Sequence, residues 1–193
     1  LSEYKDLPDI KLIEEVARFK SRALEELYDR YSPIVYTMAK KIAPDEKSAE
    51  EIVIDVFSII WKRAGDIDFT QNCVYTWIIT LTRNKAIDLL KRSRSPEATL
   101  DYYDNQYEET FILPHISHQI EQYDIRQIQM NKTRIENALD KLSDAQKYVI
   151  HLAYYEGYNI NEISEKLGIP KETVRSKIYT ALKMLHDNFE AEL

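Results

Sequence analysis

The chain has 193 residues, enough for one sizeable core or two small ones, and its 3 Gly, 6 Pro and lack of sustained apolar–polar alternation exclude a strand-rich architecture. No run of about 18 apolar residues offers a membrane span; the polar, acidic start LSEYKDLPD is no secretory signal, and a single cysteine, Cys73, excludes an internal disulfide or a cysteine-based zinc cluster. The formal net charge of −7 conflicts with a uniformly basic nucleic-acid surface, so any such surface has to be local.

The expectation is therefore an all-α protein in a reducing, cytoplasmic setting, without membrane insertion. A first helix begins around Asp9, with Ile10, Ile13, Val16 and Ala17 on one face, and the polar run FKSR interrupts it near Ser21. In the longer helix that follows, Leu24, Leu27, Tyr28, Tyr31, Ile34, Val35, Met38 and Ile42 form the stripe. Pro33 predicts a kink or break near Ser32, and Pro44 ends the helix. Ser48-Ala-Glu-Glu51 has the form of a capping box and opens a third helix, with Ala49, Ile52, Val53, Val56, Phe57, Ile60 and Ala64 inward. Ile54 and Ile59 fall off that stripe among Glu51, Asp55, Ser58 and Lys62. They are either single exposed aliphatics or part of a docking surface for a protein.

Gly65 releases the chain into the loop DIDFTQNC, and VYTWIITLTRNKAIDLLKRSR resumes as one helix of about 20 residues, roughly 30 Å long. Val74, Ile78, Leu81 and Leu89 suit a core, whereas Tyr75, Trp77, Asn84, Lys85, Asp88 and Arg92 are harder to bury together. Rings beside cations are what single-stranded nucleic acid requires, since rings accept unstacked bases and cations track the backbone. Tyr75 and Trp77 could equally be core residues.

Charge is distributed in blocks. Arg83, Lys85, Lys91, Arg92 and Arg94 form one basic cluster, and Lys171, Arg175, Lys177 and Lys183 form another. Between them, from Ser95 to Ile125, there is no Lys or Arg, while Glu97, Asp101, Asp104, Glu108, Glu109, Glu121 and Asp124 accumulate. That acidic stretch lacks a clear period and reads as a linker with at most short helical pieces, spanning 96–126. His115 and His118 lie within it without the further ligands a zinc site needs.

Helical periodicity returns at Ile125 with Ile128, Ile135, Ala138, Leu139 and Leu142. Ser143-Asp-Ala-Gln146 is a capping box, followed by Val149, Ile150, Ala153 and Tyr154 up to Gly157. Asn159-Ile-Asn-Glu162 is another, opening a short helix with Ile163 and Leu167 inward and Gly168 as its left-handed stop. Pro170 favours a new first turn, and Val174, Ile178, Ala181, Leu182 and Leu185 mark the buried side of the last helix. Lys171, Glu172, Thr173, Arg175, Ser176, Lys177 and Tyr179 remain outside near its start, where a helix-turn-helix meets base edges and phosphates. An ordinary helical hairpin with a solvated face is the competing explanation. No nucleophile–base set, phosphate loop or metal spacing occurs, so neither an enzyme nor a cofactor is expected.

Two blocks together carry a resemblance. The span from ALEELYDRYSPIVY through AEEIVIDVFSIIWKRA to YTWIITLTRNKAIDLLKR resembles the promoter-melting domain, region 2, of extracytoplasmic-function (ECF) sigma factors. ALDKLSDAQKYVIHLAYYEGYNINEISEKLGIPKETVRSKIYTALKMLH resembles their region 4 helix-turn-helix. The resemblance implies two small helical domains joined by an acidic linker: region 2 at 1–95, the linker at 96–126 and a four-helix region 4 domain at 127–193. It implies RNA polymerase core and promoter DNA as partners, and an anti-sigma factor as the family's usual control.

By position, the resemblance puts Glu51, Ile54, Asp55, Ile59, Trp61 and Lys62 on the polymerase. Ile54 stands where the family usually has Gln, and an exposed Ile still suits a protein interface. It puts Phe69, Asn72, Tyr75, Trp77, Arg83, Asn84, Lys85, Asp88 and Arg92 on the −10 single strand, and Lys171, Glu172, Thr173, Arg175, Ser176, Lys177 and Tyr179 on the −35 duplex. The family's linker threads the polymerase's RNA-exit path, where the seven carboxylates here would mimic nucleic acid. The alternative is a stand-alone helix-turn-helix regulator with an N-terminal ligand or dimerisation domain.

Overall fold

A computed structural model describes residues 4–67, 69, 73–94 and 125–191. These residues are helical and contain no strand: α1 (Asp9–Ala17), α2 (Ser21–Ile42), α3 (Glu46–Arg63), a 3-10 turn (Ala64–Asp66), α4 (Val74–Arg94), α5 (Ile125–Met130), α6 (Lys132–Asp140), α7 (Asp144–Tyr154), α8 (Ile160–Leu167) and α9 (Lys171–Glu190). They divide into two units. Residues 4–94 together with 125–128 form the first, and 129–191 the second.

In the first unit α2 packs against α1, α3 and α4. Ala23, Leu27, Tyr31, Val35 and Ala39, at a constant spacing of four, put five fully buried residues on one side of α2. Leu12, Ile13 and Val16 of α1, Ile52, Val56 and Ile60 of α3, and Val74, Ile78, Ala86 and Ile87 of α4 complete the core. The expected α2 stripe is thus displaced. Leu24, Ile34 and Met38 are only half-buried and Tyr28 is exposed, its ring 4.8 Å from that of Phe57. Small Ala23 and Ala39, near the two ends of α2, are as fully covered as the larger Leu27, Tyr31 and Val35 between them.

Two expected boundaries shift. α2 runs unbroken through Pro33, so the missing N–H is absorbed within a helix held on three sides. α3 starts at Glu46 rather than at Ser48: Asp45 is its N-cap, and the Asp45 carboxylate accepts from the Ser48 N–H at 2.8 Å. Ser48 is therefore the third residue of the helix, not its cap.

The N-terminal edge of this unit is built on a buried carboxylate. Asp9 Oδ1 accepts from Arg30 Nη1 at 2.8 Å, and its Oδ2 accepts from the Tyr31 hydroxyl at 2.6 Å and from the Ile125 N–H at 3.3 Å. Arg30 also donates to Glu26 and to the carbonyls of Tyr4, Lys5 and Leu7, while Arg126 Nη2 donates to Lys5 O at 2.8 Å. Ile125 is buried. The last two positions of the expected linker, 125 and 126, are thus helical and bonded to the first unit; positions 96–124 lie outside the described residues.

In the second unit Val149, Leu152, Ile163, Val174 and Ile178 form the core, with Ala153, Tyr158, Ile160, Leu167, Ile169 and Leu182 packed around it. Both expected capping boxes close, Ser143 with Gln146 and Asn159 with Glu162. Phe189, which periodicity alone did not single out, is buried. The Arg134 guanidinium lies 4.4 Å from its ring centroid and donates to its carbonyl at 2.9 Å, tying α6 to the end of α9.

Candidate nucleic-acid interface

The angle at which α9 leaves α8 is set by a few local bonds. Asn159 Oδ1 accepts from the Glu162 N–H at 3.0 Å, and Glu162 Oε2 accepts from the Asn159 N–H at 2.6 Å, so α8 begins with two otherwise orphaned donors satisfied. Its end is equally defined. Gly168 takes φ 63°, Ile169 N–H donates to Ser164 O at 3.2 Å, and Ser164 Oγ donates back to Ile169 O at 2.6 Å. Pro170 is the N-cap of α9 rather than its first residue, its carbonyl accepting from Thr173 and Val174.

From that start Val174, Ile178 and Ala181 turn inward onto the core. Lys171, Glu172, Thr173, Arg175, Ser176, Lys177 and Tyr179 are all exposed, Tyr179 at 68%. The seven residues chosen from sequence share one solvent-facing surface. Arg175 Nη1 reaches Glu172 Oε1 at 3.0 Å and Oε2 at 3.2 Å, an exposed pair that adds little stability but limits where the guanidinium points.

The first unit carries the aromatic and basic residues of α4. The rings of Phe69 and Trp77 meet edge to face at 5.3 Å, both half-buried, which leaves part of each aromatic surface available. Tyr75 turns the other way. Its ring lies 6.3 Å from that of Tyr31, and burial, with the neighbouring Cys73 as a smaller cause, raises its phenol above the ordinary value. Tyr75 is thus closer to the core reading than Trp77. Asn72 lies outside the described residues.

Further along α4, Asn84 and Lys85 are half-buried and Arg92 is exposed. Arg83 and Asp88 are instead buried, at 2% and 5% exposure, and Arg83 Nη1 donates to Asn84 Oδ1 at 3.3 Å. The surface that α4 offers is narrower than its sequence suggests, because the helix packs against α1, α2 and α3. Lys85 Nζ lies 3.7 Å from Asp55 Oδ2 of α3, a contact that no local pattern foretells.

On α3, Glu51, Ile54, Asp55 and Lys62 are exposed, Ile54 at 68%, while Ile59 and Trp61 are half-buried. This face is mixed apolar and acidic as expected, with Ile59 less open than Ile54. Phe19, absent from the sequence-based set, stands beside Trp61 with a ring separation of 5.4 Å. Among the described residues no group of three or more His, Cys, Asp or Glu is placed to hold a metal, and His115 and His118 lie outside them.

Comparison with known proteins decides the family. The sigma-70 region 2 pattern matches residues 27–95 and the sigma-70 region 4 pattern matches residues 138–187. The ECF RNA polymerase sigma factor RpoE of Cereibacter sphaeroides is 30% identical over 166 residues, covering 86% of each chain. The chain belongs to the ECF sigma factors of the sigma-70 family. The ECF sigma factor SigK of a Mycobacterium species is 29% identical over 174 residues, covering 90% of this chain and 86% of its own. The crystal structure of Rhodobacter sphaeroides SigE in complex with the anti-sigma ChrR aligns at 25% identity with a TM-score of 0.47, covering 97% of this chain and 99% of that one.

As a sigma factor, this chain partners RNA polymerase core and promoter DNA, and a stand-alone regulator does not account for the region 2 match.

Proposed function

We propose that the two units divide promoter recognition between them. α9 enters the major groove of the −35 duplex, presenting Lys171, Glu172, Thr173, Arg175, Ser176, Lys177 and Tyr179 to bases and phosphates. Phe69 and Trp77 receive an unstacked base of the −10 strand, with Asn72 as a further contact and Tyr75 supporting from beneath. Asn84, Lys85 and Arg92 follow the strand along α4. Arg83 and Asp88 act from the interior, holding that surface in shape rather than touching DNA. Glu51, Ile54, Asp55, Ile59, Trp61 and Lys62 of α3 dock on the polymerase core.

The observation that carries this reading is the outward projection of seven polar residues at the start of α9 over a buried Val174–Ile178–Ala181 seam. Aromatic capture turns binding energy into strand opening, because a base held on a ring no longer returns to its stack. The chain has no catalytic step of its own on this reading, needs no cofactor and works in the cytoplasm. No helix of the described residues is long and apolar enough to cross a membrane. The sequence positions 1–95, 96–126 and 127–193 serve as region 2, acidic linker and region 4, with 125–128 folded onto region 2, and an inhibitory anti-sigma protein is the controlling partner.

Reconstitution tests the proposal. The chain mixed with sigma-free polymerase core should yield transcripts from defined start sites on genomic fragments. Absence of any specific transcript, where a control sigma factor initiates on its own promoter, would overturn it.

A further inference from the structure

α1 ends at Ala17, and the turn behind it is closed by three backbone bonds: Arg18 N–H to Glu15 O at 3.1 Å, Phe19 N–H to Val16 O at 2.8 Å, and Lys20 N–H to Glu15 O at 3.1 Å. This closure requires a left-handed residue after the helix cap, a position that glycine fills without strain. Here it is Phe19, at φ 60°, the one non-glycine residue with positive φ among those described. Its ring is not used to fill the core, since Phe19 is 65% exposed. The chain therefore places a bulky apolar ring on the surface by way of a strained backbone.

The ring's location gives that arrangement a purpose. Among the described large apolar side chains of the first unit, Ile54 at 68% and Phe19 at 65% are the most exposed. Trp61 links them. It follows Ile54 by seven residues on α3, hence on the same side of the helix and roughly 10 Å along its axis, and its ring meets the Phe19 ring edge on at 5.4 Å. Ile54 and Trp61 thus share one side of α3, with exposed Ser58 between them, and the Trp61–Phe19 contact carries that side onto the α1–α2 turn.

We propose that Phe19 is a contact residue for RNA polymerase core, extending the α3 docking face beyond Trp61 into an apolar seat on the polymerase. This rests on the reading of α3 as the polymerase-docking helix. The commitment to polymerase follows from continuity: a partner that covers Ile54 and Trp61 on α3 meets the Phe19 ring, which touches that of Trp61.

The test measures affinity of the full chain for polymerase core, and thermal stability by circular dichroism, in Phe19→Gly, Phe19→Ala and Ile54→Glu. Phe19→Gly removes the ring and the strain together, whereas Phe19→Ala removes the ring and keeps a side chain at positive φ. Both should weaken core binding roughly ten-fold, as loss of a buried aromatic anchor does, while Phe19→Gly remains folded. Unchanged affinity in both Phe19 variants, with Ile54→Glu weakened, would overturn the inference and leave the α3 reading standing. Unchanged affinity in all three would overturn both. Weakening confined to Phe19→Ala, in step with a lower melting temperature, would assign Phe19 a purely structural role and likewise overturn the inference.

Discussion

Asp9 and Arg30, twenty-one positions apart in sequence, form an ion pair at 2.8 Å with side-chain exposures of 3% and 10%. Removing one partner of such a pair leaves the other buried and uncompensated, so Asp9→Ala should cost the first unit about 3–5 kcal/mol. Asp9→Asn keeps the shape but loses the charge and should cost less. Urea unfolding of the full chain, followed by tyrosine and tryptophan signals, gives the loss. Amide exchange at Ile125 should rise in both variants, because its N–H donates to the same carboxylate.

The Asp45 carboxyl is held below its ordinary value, first by the Ser48 backbone N–H and then by the Ser48 side chain. A depressed carboxyl stabilises the fold above its unfolded-state value and loses that contribution as pH falls through its lower folded value. The first turn of α3 should accordingly loosen only below the ordinary carboxylate range. Asp45→Asn retains a competent cap and should remove this pH dependence. Amide exchange at Ser48 across an acid titration checks both statements, and a turn that loosens near neutral pH would contradict them.

Gly168 sits at φ 63° with nothing within 4 Å of where a Cβ would lie, so a substitution there meets backbone strain and no clash. Gly168→Ala should destabilise the second unit by about 1 kcal/mol, and Gly168→Asn by less, since Asn tolerates the left-handed region. Amide exchange in α8 and α9 reads the effect directly. A loss several times larger would mean that the α8–α9 angle itself depends on a glycine.

The two proposed DNA contacts should separate in a paired assay. Arg175→Ala should weaken holoenzyme binding to a −35 duplex by about 1–3 kcal/mol while leaving affinity for polymerase core unchanged. Trp77→Ala should leave duplex binding nearly intact and reduce opening of the −10 region, read by a fluorescent base analogue, by about 1–3 kcal/mol. Equal effects of both variants in both assays would contradict the division of labour.

Helix-forming local order was legible in the sequence. Asn159 with Glu162, Ser143 with Gln146 and the stop at Gly168 are interactions between residues at most a few positions apart, and each forms as its pattern implies. The outward set on α9 was legible for the same reason, since the helix rests its apolar side on a single small core and the opposite side is left to solvent. At the start of α3 the local competition went the other way, and Asp45, after Pro44, capped in place of Ser48.

What neighbours cover belongs to the tertiary structure. α4 carries Arg83 and Asp88 in a run that reads as basic and polar, yet both are buried because α1, α2 and α3 enclose the helix on more than one side. The pairing of Lys85 with Asp55, the Asp9 bond to Ile125 and the meeting of Phe19 with Trp61 likewise join residues far apart in the chain. The sequence by itself determined the helices, the caps of α7 and α8, the family blocks and the solvent-facing side of α9, since these follow from periods and bonds of a few residues. Only the packing decided which α4 residues reach the surface and that Phe19 stands against Trp61 of α3, because burial and contact depend on every helix that arrives at the same place.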